Sequence, residues 1–275
     1  GADREDEDAS GGNTLTNAGS AYFFEETPPC PATGSIWYVD AAAASGGNGT
    51  SWACAFQNVQ DAIDAASSGH EIWVKAGTYL PTAYPSGCLG CTTDRDKAFH
   101  LKNGVKVYGG FAGTEALLSE RNWTANVTTL SGDFNGDDSG LTNNTENAYH
   151  VAITVSDANT TQLDGFIVKG GNANGTTSIS VESRLITRDD GGGLYNHTSA
   201  TLVKNCTFTY NAAHTTTGSG GGMYNIQAVG NNVTSCFFTS NSATNGAGAF
   251  NTSSSPTYTN CTFSINTAAT KGGGM

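Results

Sequence analysis

The stretch Val203-Lys-Asn-Cys206-Thr-Phe208-Thr-Tyr-Asn211 returns as Val233-Thr-Ser-Cys236-Phe-Phe238-Thr-Ser-Asn241 and again as Tyr258-Thr-Asn-Cys261-Thr-Phe263-Ser-Ile-Asn266. Glycine blocks accompany the copies: Gly191-Gly-Gly-Leu194-Tyr-Asn196, Gly220-Gly-Gly-Met223-Tyr-Asn225, Gly246-Ala-Gly-Ala249-Phe-Asn251 and Gly272-Gly-Gly-Met275. The cysteines step by 30 and 25 residues and the blocks by 29, 26 and 26. Self-similarity at that period is the mark of a solenoid. In a strand, Cys and Phe two positions apart face one side, so each copy offers an apolar face too small to bury alone. Units stacked at about 4.8 Å bury it together. The expected fold is all-β, a parallel β-helix. Leucine-rich repeats lack support because there is no leucine ladder, and propeller blades because the period is short and Trp-Asp signatures are missing.

Composition agrees with strands and tight turns: 36 glycines, 13% charged residues and abundant Asn, Ser and Thr. The net charge of -12 and a pI near 4.6 speak against nucleic acid as a partner, since phosphate binding needs clustered Lys and Arg. No apolar run reaches the 18 or so residues that span a bilayer.

In chain order, residues 1–20 read as an acidic flexible tail and residues 21–69 as an N-terminal cap. Ile36-Trp-Tyr-Val-Asp40 is its strand. Phe56, Val59, Ile63 and Ala66 fall at helical spacing before Gly69, which predicts an amphipathic helix laid over the first rung. Such a helix shields the open end of a stack from edge pairing. Residues 70–275 are the β-helix, with Leu163-Asp-Gly-Phe166-Ile-Val168 as an earlier copy in which Phe replaces Cys. The segment between Val168 and Leu194 reads as a protruding, charged loop. The chain stops inside a repeat, and further chain is expected beyond Met275.

The seven cysteines form two groups. Cys206, Cys236 and Cys261 share one repeat position and read as a row of buried thiols filling space. Cys30, Cys54, Cys88 and Cys91 are disulfide candidates, Cys88 with Cys91 and Cys30 with Cys54; bridges there imply an oxidising compartment. Half a zinc site at Cys88 and Cys91 lacks a second ligand pair at zinc spacing.

With these residues placed, the chain resembles right-handed parallel β-helix proteins of bacterial surfaces that carry polymorphic-outer-membrane-protein repeats, whose hallmarks are Gly-Gly-Ala-Ile-like and Phe-x-x-Asn tetrapeptides. Phe208 to Asn211, Phe238 to Asn241 and Phe263 to Asn266 match the second hallmark, and the glycine blocks match the first loosely. Trp37-Tyr-Val-Asp40, Gly46 to Trp52, Gly110 to Glu115, Arg121-Asn-Trp123 and Leu130 to Asp133 look like the leading part of large exported β-helix proteins. The resemblance implies an extracellular or outer-surface location and a role in adhesion or matrix, with glycans or cell surfaces as partners. Related pectin-lyase-like folds include polysaccharide lyases and glycoside hydrolases, which is the alternative reading. End-to-end self-association into a filament is a further one.

Asn211, Asn241 and Asn266 are expected to stack as a ladder at a turn, bonding backbone groups of neighbouring rungs. Asp133-Phe-Asn135-Gly-Asp137-Asp138 sets oxygen ligands around a glycine turn, which suits calcium; the plainer reading is a solvated Asx-rich turn, because no Glu follows at EF-hand spacing and Glu146 lies beyond it. Asp189-Asp190 resembles the aspartate pair of β-helix glycosidases, but the accompanying Asn-Thr-Asp, His-Gly and Arg-Ile-Lys motifs are missing. Lys169, Lys204, Arg184 and Arg188 are the bases a lyase would draw on, with no carboxylate cluster in register. His70, His100, His150, His197 and His214 lack metal spacing and read as surface or turn residues. No residue is assigned a catalytic role. Eleven Asn-x-Ser/Thr sequons occur, those at Asn205 and Asn260 inside expected strands.

Overall fold

A computed structural model describes residues 30, 34–157 and 161–275. The acidic tail expected over residues 1–20 lies outside them. The described residues are all-β with one short α-helix, and their main sheets are parallel. Ile36–Val39, Glu71–Lys75, Lys106–Phe111, Gln162–Asp164, Leu202–Lys204, Asn232–Thr234 and Thr257–Thr259 pair in that order into a first sheet of seven strands. A second sheet of six runs from Gly77–Tyr79 through Thr128–Ser131, Ile167–Lys169, Thr207–Thr209 and Phe237–Thr239 to Thr262–Ser264. A third of five stacks Phe99–Leu101, Ala152–Val155, Leu194–His197, Met223–Ile226 and Ala249–Thr252, and a fourth of four ends at Thr267–Lys271. Each circuit of about one repeat visits these sheets in turn, an arrangement compatible with a parallel β-helix.

Register keeps like residues on top of each other. Leu163, Val203, Val233 and Tyr258 align in the first sheet, and Val168, Phe208, Phe238 and Phe263 in the second. Together with Cys206 and Cys236 they belong to one continuous core. The rings of Phe208, Phe238 and Phe263 stack nearly parallel at 4.9 and 4.7 Å, adding ring contact to area burial.

One sequence expectation is corrected here. Cys and Phe do not share a strand: Leu202–Lys204 ends, Asn205 takes φ 50°, and only Thr207 opens the next strand. Cys206 therefore sits in a corner, and both side chains reach the core because the chain bends between them. A second corner falls at Tyr210 (φ 53°), just before Asn211. In the preceding rung the aligned corner residues are Gly165 and Gly170, both at positive φ. Glycine takes that conformation without the cost of about 1–2 kcal/mol that an L side chain meets. Later rungs use Asn, Ser, Tyr and Ile at these corners, so the stacked neighbours must hold them there. The sequons at Asn205 and Asn260 lie at such corners, outside the strands.

The helix is Val59–Ala65, starting three residues later than Phe56. Its buried face, Val59, Ala62 and Ile63, joins the main core, and it touches strands Ile36–Val39, Glu71–Lys75 and Phe99–Leu101. Phe56 instead bridges to Val39 and packs on Trp37 at 5.9 Å.

The segment from Val168 to Leu194 is a correction as well. It contains an antiparallel hairpin, Ser178–Val181 with Arg184–Thr187, turned by Glu182 and Ser183 at φ 48° and 63°. Ile179, Val181 and Ile186 build a second small core with Ala98, Ile153, Val155 and Tyr195 on the third sheet's outer side. The alternation Ile179, Val181 was the available strand signal; the charges around it masked the pattern.

Candidate functional site

The bonded cysteines are Cys30 with Cys54 and Cys88 with Cys91; Cys206, Cys236 and Cys261 are free. Burial pushes the Cys206 thiol up, so it stays protonated and donates to the Lys204 carbonyl at 3.1 Å. The asparagine ladder is continuous: Asn211 Nδ2 donates to Val168 O, Asn241 Nδ2 to Phe208 O and Asn266 Nδ2 to Phe238 O, while Asn241 Oδ1 accepts from the Asn211 backbone N–H. A second ladder went unread in the sequence. Asn196 Nδ2 donates to Asn225 Oδ1 at 2.9 Å, and Asn225 Nδ2 to Asn251 Oδ1 at 2.7 Å. The Asn closing each glycine block was its signal.

Asp189 and Asp190 are occupied structurally. Asp190 accepts from the Thr187 hydroxyl at 2.9 Å and from the Ser219 N–H at 2.7 Å, tying one rung to the next, and Asp189 accepts from Thr217. Burial lifts Asp190 to about 6. Asp157 is likewise lifted to about 6 by burial, against the pull of the Ser199 hydroxyl at 3.0 Å. A carboxyl raised in the folded state favours folding below its unfolded pKa and loses that benefit as pH rises through the folded value. Asp157→Asn should therefore stabilise the chain by about 1–2 kcal/mol at pH 7.5 and by nothing near pH 4. Thermal melts of both proteins at the two pH values check this; equal differences at both would refute it.

Three of the histidines are buried, contrary to the surface reading. His150 lies against Gly191 O at 3.0 Å and edge-on to Tyr195, and burial drops it to about 4. His197 bonds the Thr198 hydroxyl. His100 is the one that faces a cavity. Its Nδ1 accepts from the Ser86 N–H at 3.2 Å, which leaves the proton of the neutral ring on Nε2, and Nε2 lies 3.8 Å from Glu182 Oε1. Burial lowers its pKa, opposed by Glu182 and Asp64.

That cavity, about 340 Å³, is lined by Asp64, Tyr84, Ser86, His100, Lys102 and Glu182, with Ile63 below. Three elements outside the repeat meet there: the helix end, the stretch through Tyr84 and Ser86 that leads into the Cys88–Cys91 loop, and the hairpin tip. Leu89 and Ser180 exchange backbone hydrogen bonds, and Arg188 binds Asp96 through Nε at 2.6 Å and Nη2 at 2.9 Å, so hairpin and loop form one unit. Lys102 donates to the Asp64 and Ala66 carbonyls and keeps its charge, so the carboxylates of Asp64 and Glu182 outnumber the lone lysine among the lining residues and the cavity's balance is negative. Glu182 is held in a left-handed conformation at the rim, a strain that non-glycine residues rarely carry without support.

The Asp133 turn is the other polar concentration. Asp133 is buried at the end of Thr128–Ser131 and accepts from the N–H groups of Gly136, Asp137 and Asp138. Gly136, at φ 71°, turns the chain back. The carboxylates of Asp133, Asp137 and Glu146 approach within 4.8 Å of one another. Asn135 and Asp137 are both exposed; the Asp137 carboxylate still joins Asp133, and Glu146, which lies beyond EF-hand spacing, completes the group. Asp138 accepts from Asn147 Nδ2 at 2.8 Å. Burial, with Asp133 and Glu146 adding repulsion, raises its pKa.

Among the described residues no helix is long and apolar enough to cross a membrane. No protein-family model, curated protein or solved structure matches the chain. The case for function therefore rests on its own residues.

Proposed function

We propose that this chain is an exported, right-handed parallel β-helix of the polymorphic-outer-membrane-protein-repeat kind, its helix Val59–Ala65 capping the first rung. It acts at the outer cell surface or in the matrix as a non-catalytic adhesin or stalk that contacts glycans from its side. The observation that carries the glycan reading is the cavity at His100. Segments the stack does not need converge there and present hydroxyl, imidazole, carboxylate and exposed Tyr84 groups in a volume suited to one or two sugar rings. Its negative balance favours neutral or amino sugars over uronates. The Cys30–Cys54 and Cys88–Cys91 bridges fit an oxidising compartment.

A panel of immobilised neutral, amino and uronic oligosaccharides tests this. The expected result is retention of a neutral or amino glycan, weakened about tenfold or more by Tyr84→Ala or Glu182→Gln, both at exposed positions, with melting unchanged. Retention of nothing on the panel, or retention indifferent to both substitutions, rejects the reading. The facing of His100 and Glu182 favours one rival, a polysaccharide lyase or glycoside hydrolase. It requires unsaturated or reducing-end products that vanish in Glu182→Gln.

A further inference from the structure

We infer that the Asp133 turn is a calcium site, held by the carboxylates of Asp133, Asp137, Asp138 and Glu146 with the amide of Asn147 beside them. Crowded acidic side chains alone do not make a site, since surface turns collect them freely. The distinguishing feature is inside the cluster. Asp138 Oδ1, Glu146 Oε1 and Asn147 Oδ1 are buried oxygen atoms with no hydrogen-bond partner, and Asn147 as a whole is 0% exposed. Its Nδ2 is fixed on Asp138 Oδ2, which places the amide head within the group of carboxylates. Three of the six partnerless buried side-chain atoms among the described residues thus fall in one turn, and all three are acceptors.

An unpaired buried acceptor costs about 1–3 kcal/mol, and more when charged. Three together, next to further carboxylates, call for a shared positive partner. Lys169 is the basic side chain whose charge reaches Asp138, and it does not bond these atoms. A donor set of oxygen only, without nitrogen or sulfur, selects a hard cation. Carboxylates of unlike reach around an irregular turn suit the adaptable shell of calcium better than the strict octahedron of magnesium.

The ion would act on the stack as well as on the turn. The Asn144 carbonyl accepts from Asn172 Nδ2 at 2.7 Å, and Ala148 N donates to Gly132 O while its own carbonyl accepts from Asn172 N. Closing the turn on calcium therefore fixes the segment that braces Asn172–Ala173, the first strand of the fourth sheet.

The test uses the whole chain, stripped with EDTA and dialysed, titrated calorimetrically with Ca²⁺ alone and in parallel with Mg²⁺. A single saturable Ca²⁺ site with Kd between about 10⁻⁶ and 10⁻³ M is expected, with Mg²⁺ at least about tenfold weaker. Melting temperature should rise with Ca²⁺. The double variant Asp137→Asn, Glu146→Gln should lose about tenfold or more in affinity while melting, without Ca²⁺, no lower than wild type, because repulsion has been relieved. No saturable heat at about 10 mM Ca²⁺ from a folded chain, or equal affinity in the variant, overturns the site; equal Mg²⁺ affinity overturns its assignment to calcium.

Discussion

Asn241→Ala should destabilise the chain by about 3–5 kcal/mol, because one truncation strands several buried groups at once. Asn241 is 0% exposed. Its Oδ1 accepts from both the backbone N–H and the Nδ2 of Asn211, at 3.1 and 3.2 Å, and its Nδ2 donates to Phe208 O at 2.9 Å and to Asn266 Oδ1 at 3.0 Å. Alanine leaves the Asn211 N–H and the Phe208 carbonyl without these partners in a place water does not reach. Each such group costs about 1–3 kcal/mol. The same change at Asn266, which is only half-buried and stands last in the described ladder, should cost no more than about half as much. Chemical denaturation of the two variants reads both values. If Asn241→Ala lies within about 1 kcal/mol of wild type, the ladder does not hold the rungs together in the way its geometry indicates.

The repeat was legible because stacking rewards identical residues at identical positions, and Phe208, Phe238, Phe263 and their asparagines display that directly. Corners were less legible. A left-handed residue leaves no fixed letter behind when neighbouring rungs enforce it, so Tyr210, Ser240 and Ile265 share a conformation without sharing a residue type. The aligned Gly165 and Gly170 of the preceding rung were the direct hints. The inserted elements were least legible of all. Hairpin, disulfide loop and helix end meet through contacts 92 residues apart, such as Arg188 with Asp96, and no local period encodes a pairing of that separation. For the same reason Asp133 and Asp137 were visible as a turn motif, whereas Glu146 and Asn147 join them through the return of the chain.

Arg188→Ala should cost about 3–5 kcal/mol, the usual consequence of removing one member of a buried ion pair. Asp96 has a fully buried side chain; apart from Arg188 its partners are the N–H groups of Thr92 and Thr93 and the Thr93 hydroxyl. Arg188 also donates to Gly90 O at 2.9 Å and to the Thr177 hydroxyl. Burial works against the Asp96 carboxylate, but the Arg188 guanidinium and the two N–H groups outweigh it and hold the carboxyl below its ordinary range. A carboxyl depressed in this way stabilises the fold above its unfolded pKa of about 4 and ceases to as pH falls through the lower folded value. The wild type should accordingly lose this contribution in strong acid, while Arg188→Ala has little left to lose. Replacing the pair jointly, Arg188→Met with Asp96→Asn, should cost less than the sum of the two single changes, because no charge is then stranded. The damage should also be local. Arg188 fastens the hairpin to the Cys88–Cys91 loop, and Glu182 sits at that hairpin's tip, so limited proteolysis should open residues 178–187 of Arg188→Ala before the stacked sheets yield. Glycan retention should fall with it. An Arg188→Ala protein that melts like wild type and resists protease at the hairpin would show that the small outer core holds this module without the ion pair.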